Sequence, residues 1–141
     1  MIDIHNDRIL ILDGAMGTMI QRYGLTEEDY RKGPFSGCTK ELKGNNECLN
    51  LTHPEIIKAI HQEYIAAGAD IIETNTFSSQ PISMSDYHIA EYSNEITKAG
   101  CKIAREIADE FTAIDPTKPR FVAGSIGPTN KTCSISPDVN N

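Results

Sequence analysis

Residues 52–77 read THPEIIKAIHQEYIAAGADIIETNTF. Ile56, Ile57, Ile60, Tyr64 and Ala67 fall on one face of a helix, and Gly68 supplies its stop. Thr52, His53, Pro54 and Glu55 fit a capping box, with Thr52 as the cap, Glu55 reaching back, and Pro54 tolerated in the first turn. Past the glycine the helical period gives way to Ile71-Ile72, which runs on through Glu73, Thr74, Asn75, Thr76 and Phe77. A short, near-continuous apolar run of this kind is expected of a strand covered on both faces in a parallel sheet.

The same grammar extends to either side. Upstream, Ile9, Leu10, Ile11 and Leu12 form a first apolar run, ended by Asp13-Gly14. Downstream, Ile96, Gly100, Ile103, Ala104, Ile107, Ala108 and Phe111 make a second helical stripe, with Lys98, Lys102, Arg105, Glu106, Asp109 and Glu110 facing outward. Pro116 and Pro119 mark the loop before a third run, Phe121-Val122-Ala123, which Gly124, Ser125, Ile126, Gly127 and Pro128 close. The order β, loop, helix, β, helix, β predicts an α/β fold with parallel strands joined by crossovers. Residues 21–50, polar and rich in glycine, read as a long excursion with little regular structure, of the kind that often carries function.

Composition narrows the class of function. The chain has 141 residues, 13 Lys+Arg against 20 Asp+Glu, a net charge of −7 and 39% apolar residues. That length suits one domain with a core. A pI near 5 without a basic stripe argues against a nucleic-acid partner. A mean hydropathy of −0.35 and the lack of a long apolar run argue against a membrane span. Acidic residues precede the first apolar run, so no secretion signal is read there, and Cys38, Cys48, Cys101 and Cys133 fall in no paired spacing. The expectation is a cytoplasmic protein with free thiols.

Polar residues of unusual kind gather just past the carboxyl ends of the three runs, the edge at which parallel α/β sheets and barrels bind ligands. Asp13 is placed to grip an ammonium group while the amides of Gly14 and Ala15 take an anion such as a carboxylate, a pairing that suits an amino acid. Alternatively Asp13 caps the short helix that follows. Glu73 and Asn75 share one face of the second run and Thr74 and Thr76 the other, so the first pair either completes a polar network or touches a ligand. Ser125 does not sit in a G-x-S-x-G elbow and reads as a backbone or positional residue. Gly14-x-x-Gly17 matches neither glycine-rich nucleotide fingerprint. His5, His53, His61 and His88 are scattered, with His61 solvated or packed, and no cysteine spacing is that of zinc. Cys101 reads as core, and Cys38 and Cys48 as loop residues open to exposure. No catalytic residue and no metal ligand is assigned.

ILILDGAMGTMIQ at 9–21, LKGNN at 42–46, AGADIIETNTF at 67–77, VAGSIGPTN at 122–130 and SISPD at 134–138 together resemble the homocysteine S-methyltransferase family, in particular its cobalamin-dependent branch, the methionine synthases. The resemblance implies a (β/α)8 TIM barrel that binds homocysteine at its strand ends, with Asp13, Gly14 and Ala15 holding the amino-acid end; by their own strand-end positions Glu73, Asn75 and Ser125 are expected to line the same substrate site. It implies zinc on three cysteine thiolates, and methyl transfer from methylcobalamin, ultimately from methyltetrahydrofolate, with folate- and cobalamin-binding modules as partners in the same full-length chain. The family's zinc cysteines include an adjacent pair in a Gly-Gly-Cys-Cys setting; this sequence has no Cys-Cys. A barrel takes about 250 residues. Residues 1–141 are therefore expected to be an amino-terminal fragment, supplying about the first three βα units, completing neither cofactor site and inactive alone. The alternatives are a cobalamin-independent homocysteine S-methyltransferase using betaine or S-methylmethionine, and a non-catalytic α/β binding module.

Overall fold

The computed structural model describes residues 9–131. His5, Cys133 and the SISPD stretch lie outside the described residues. The helices are α1 (Met16–Gln21), α2 (Glu27–Tyr30), α3 (Leu49–Thr52), α4 (Pro54–Ala66), α5 (Pro81–Ser85) and α6 (Ser93–Ile114), with single 3-10 turns at Gly33–Phe35, Asn46–Cys48 and Ala90–Tyr92. Two strands, β1 (Ile71–Glu73) and β2 (Phe121–Ala123), pair in parallel with Ile72 opposite Val122.

The second and third runs thus form the expected parallel strands, β1 ending at Glu73 rather than running on to Phe77. The first run is a partial strand. It lies parallel to β1 through one bridge, Leu12 to Ile71, and Ile9, Ile11 and Leu12 are exposed. Two aspartates hold its carboxyl half. Asp70, buried just before β1, accepts the Ile11 N–H at 2.9 Å and donates its own N–H to the Ile11 carbonyl at 2.8 Å. Asp13 donates its N–H to the Ile71 carbonyl at 2.9 Å and turns its carboxylate to the Glu73 N–H.

α4 and α6 keep the predicted stripes and pack on each other. Ile96, Gly100, Ile103, Ala104, Ile107 and Ala108 of α6 are buried, and Ile65, Ile72, Ala104, Ile107 and Ala108 form a cluster over β1. Gly68 ends α4 with φ of +116°, its N–H bonding the Ile65 carbonyl while Ala69 N–H reaches the Tyr64 carbonyl, a Schellman stop. Ala67 is exposed, and Ile65 takes the inward position at that end of the helix.

Several expectations are corrected. The capping box at Thr52–Glu55 does not form, because Thr52 is the last residue of α3 and its backbone is helical, whereas a cap needs extended backbone. His53 precedes α4 without a side-chain cap bond, and Glu55 Oε1 pairs with His53 Nδ1 at 2.7 Å. The reach-back bond is instead at α2, where Asp29 Oδ2 accepts the Thr26 N–H at 2.9 Å. The excursion holds little regular structure, as expected, only α2 and two 3-10 turns between α1 and α3, yet it is well packed. It buries Tyr30, Phe35, Leu42, Cys48 and Leu49 in the larger core cluster with Ile57, Ile60, Met84 and Ile96. Cys48 is fully buried, and burial pushes its thiol up to about 12. Cys38 is half-buried. Cys101 is exposed rather than core: one residue past Gly100, it is turned about 100° off the stripe. His61 is packed, with neither ring nitrogen hydrogen-bonded among the described residues, and burial lowers its pKa to about 4.

Candidate functional site

A cleft of about 560 Å³ opens at the carboxyl ends of the first run, β1 and β2. Its wall takes Asp13, Gly14 and Ala15 from the first run, Glu73 and Asn75 from β1 and beyond, and Ser125 from the loop after β2. All six residues singled out in the sequence therefore border one space. Met16 and Gly17 also border it, as do Gly44, Asn46 and Glu47 of the excursion and Phe77 and Ser78, none of them singled out as site residues. The only signal for Gly44 and Asn46 is the LKGNN stretch, and Glu47 just after it has none, because nothing in hydropathy or period marks a polar segment as facing a cleft.

Asp13 does not cap α1, whose N-cap is Ala15 with no side-chain bond. Both carboxylate oxygens instead lie 3.1 Å from the Glu73 N–H. Partial burial raises the Asp13 pKa to about 6, opposed by that N–H and reinforced by the nearby Glu73 charge. Gly14 passes close to α4, where a Cβ would lie 3.1 Å from the Tyr64 ring, and the Tyr64 hydroxyl donates to the Ala15 carbonyl at 3.3 Å. The N–H groups of Gly14 and Ala15 have no protein acceptor among the described residues.

Thr74 and Thr76, just past the end of β1, anchor Ser125 through its backbone. Ser125 N–H donates to Thr74 Oγ1 at 3.0 Å, and Thr76 Oγ1 donates to the Ser125 carbonyl at 2.8 Å. That leaves the Thr74 hydroxyl proton to bridge the 2.6 Å gap to Thr76 Oγ1, closing a ring of bonds. Gly127 N–H bonds the Phe77 carbonyl at 2.8 Å, and a Cβ there would sit 2.7 Å from the same oxygen, so only glycine fits.

Among the described residues the charged side chains bordering the cleft are Asp13, Glu47 and Glu73, all carboxylates, and no lysine or arginine joins them. Glu47 is itself buried and accepts the Ser78 N–H at 2.8 Å. The cleft's side chains suit a cation, and its free amides suit a carboxylate. No described cysteine borders it, and no three described His, Cys, Asp or Glu residues are arranged to hold a metal ion. The described residues do not fit a three-thiolate zinc site.

The model of the homocysteine S-methyltransferase family matches residues 10–141. The chain belongs to that family. Among solved structures, a homocysteine methyltransferase (MmuM) from Escherichia coli in its metallated form is 25% identical, with a TM-score of 0.64 over 86% of this chain and 39% of that one. Its oxidized form is 26% identical, with a TM-score of 0.65 over 85% of this chain and 37% of that one. The chain thus spans less than two fifths of the length of these methyltransferases. The mixed α/β architecture matches the fold of these methyltransferases over that part of their length. Among the described residues, no helix is long and apolar enough to cross a membrane.

Proposed function

We propose that the strand-end cleft binds the amino-acid end of homocysteine, in a protein that transfers a methyl group to the homocysteine sulfur to give methionine. The supporting observation is that three separate strand ends present complementary groups to one space. The Asp13 carboxylate faces the substrate ammonium, and the unpaired amides of Gly14 and Ala15 face its carboxylate. Glu73, Asn75 and Ser125 border the same cleft and are assigned to the substrate wall. At pH 7 Asp13, with its pKa near 6, is mostly ionised and carries the charge the ammonium needs.

The donor reading is the cobalamin-dependent one: methylcobalamin, recharged from methyltetrahydrofolate by folate- and cobalamin-binding modules of the same protein, working in the cytoplasm. The position of Gly44 and Asn46 from the LKGNN stretch in the cleft wall favours it. A cobalamin-independent enzyme using S-methylmethionine or betaine is the second reading, and the match to solved homocysteine methyltransferases is compatible with either donor. Zinc and cobalamin are the cofactors the first reading assigns to the whole protein, while catalysis is assigned to no residue of this chain.

A 15N NMR titration with homocysteine tests the cleft. The amides of Gly14, Ala15, Glu73 and Ser125 should shift together and weakly. Shifts confined to other surfaces, or none, would refute the proposal. Methyl transfer by the intact protein, offered methylcobalamin, S-methylmethionine or betaine in turn, separates the two donor readings.

A further inference from the structure

Asn50 is buried on α3, does not border the cleft, and joins three elements. Its Nδ2 donates to the Asn75 carbonyl at 2.8 Å and to the Ile96 carbonyl of α6 at 3.2 Å. Its Oδ1 accepts from Asn75 Nδ2 at 3.0 Å, and Asn75 Nδ2 gives its other hydrogen to the Asn46 carbonyl at 2.9 Å. Backbone carbonyls only accept, so each carboxamide has one workable orientation. The atom of Asn50 facing the Asn75 and Ile96 carbonyls must be nitrogen. The atom of Asn75 facing the Asn46 carbonyl must be nitrogen too. Rotating either amide by 180° would set oxygen against oxygen in a buried place.

One atom is left over. Both Asn75 Nδ2 hydrogens are committed, while Asn75 Oδ1 has no protein partner among the described residues and is not among the sealed polar atoms that lack one. Since Asn75 borders the cleft, that oxygen is its open atom. Gly100 makes the arrangement possible, because a Cβ there would lie 2.6 Å from Asn50 Nδ2 and 2.9 Å from Thr76 Cγ2. We propose that Asn50 is a positioning residue: it locks the Asn75 carboxamide with the oxygen turned to the cleft, making Asn75 an acceptor for the substrate's ammonium group. The proposal rests on the cleft binding homocysteine, and it explains how a neutral amide joins the carboxylates in reading a cation.

The test compares homocysteine with 4-mercaptobutanoate, which lacks the amino group, by NMR titration of the wild-type chain, Asn50→Ala, Asn75→Ala and the double variant. Each single variant should lose about tenfold in affinity for homocysteine, with little change for 4-mercaptobutanoate. The double variant should lose no more than Asn75→Ala alone, because Asn50 acts through Asn75. Equal weakening for both ligands would show a structural role only and overturn the proposal. Gly100→Ala, which presses on Asn50 from outside the cleft, should show the same selective loss. A ligand-free readout is the hydrogen exchange of the Asn75 side-chain amide, slow in wild type and fast in Asn50→Ala. Unchanged exchange would overturn the positioning role by itself, whereas a wild-type cleft indifferent to homocysteine, with the exchange result as expected, would overturn only the binding reading.

Discussion

In the excursion the side chains of Phe35, Leu42 and Leu49 are at most 1% exposed, whereas in the first run Ile9 and Ile11 are 88% and 56% exposed. The segment with little visible pattern forms much of the core, and the most apolar segment lies at an edge. Burial here follows from what a segment packs against. The excursion is covered by α4 and α6, while the first run touches β1 through one bridge and the hydrogen bonds of Asp13 and Asp70. The first run is thus placed by hydrogen bonds at Ile11 and Asp13 rather than by its hydrophobic side chains.

That contrast can be broken by substitution. Phe35 packs edge-on against Tyr92 with ring centroids 5.2 Å apart, and Phe35→Ala should cost about 3–5 kcal/mol in a urea titration. A loss below about 1 kcal/mol would mean that the excursion is not core. His61 on α4 should show as acid sensitivity. Its folded pKa, about 4, lies below the ordinary 6.5, so its contribution is full above pH 6.5 and is lost as pH falls through about 4. Comparing urea midpoints at pH 7 and pH 4, His61→Leu should remove on the order of 3 kcal/mol of that loss.

Glu27 accepts the Leu42 N–H at 2.9 Å and the Lys43 N–H at 2.7 Å, pinning the segment that carries Gly44 to the cleft. Glu27→Ala should cost about 1–3 kcal/mol and broaden the Gly44 amide signal. At the other extreme, Ile11→Ala should change stability by no more than about 0.5 kcal/mol, because its side chain is already in solvent. A larger cost would mean that the first run is buried in solution.

The two long amphipathic helices and the strands they flank were legible because repetition marks them: a stripe of period 3.6, a glycine stop, a short apolar run. The site was legible at the strand ends for a related reason, since a parallel sheet aims them all at one edge. What could not be read was any feature set by a single distant contact. Leu42 and Phe35 carry no periodic partner, Thr52 looks like a cap until α3 is seen to run into it, and Asn50 is one polar residue among many until α6 is laid across it.

The pH dependence of homocysteine binding, with Asp13→Asn alongside, bears on the central claim most directly. Asp13 titrates near pH 6, above its ordinary 3.8. Its own contribution to stability runs opposite to that of His61, present below pH 3.8 and lost as pH rises through about 6. Ligand affinity has the reverse sense, since an ammonium needs the ionised carboxylate. Affinity should be level above pH 7 and fall by up to about tenfold per unit below pH 6, and Asp13→Asn should bind weakly at every pH. Affinity that holds steady from pH 8 to pH 5, or survives Asp13→Asn, would contradict the account.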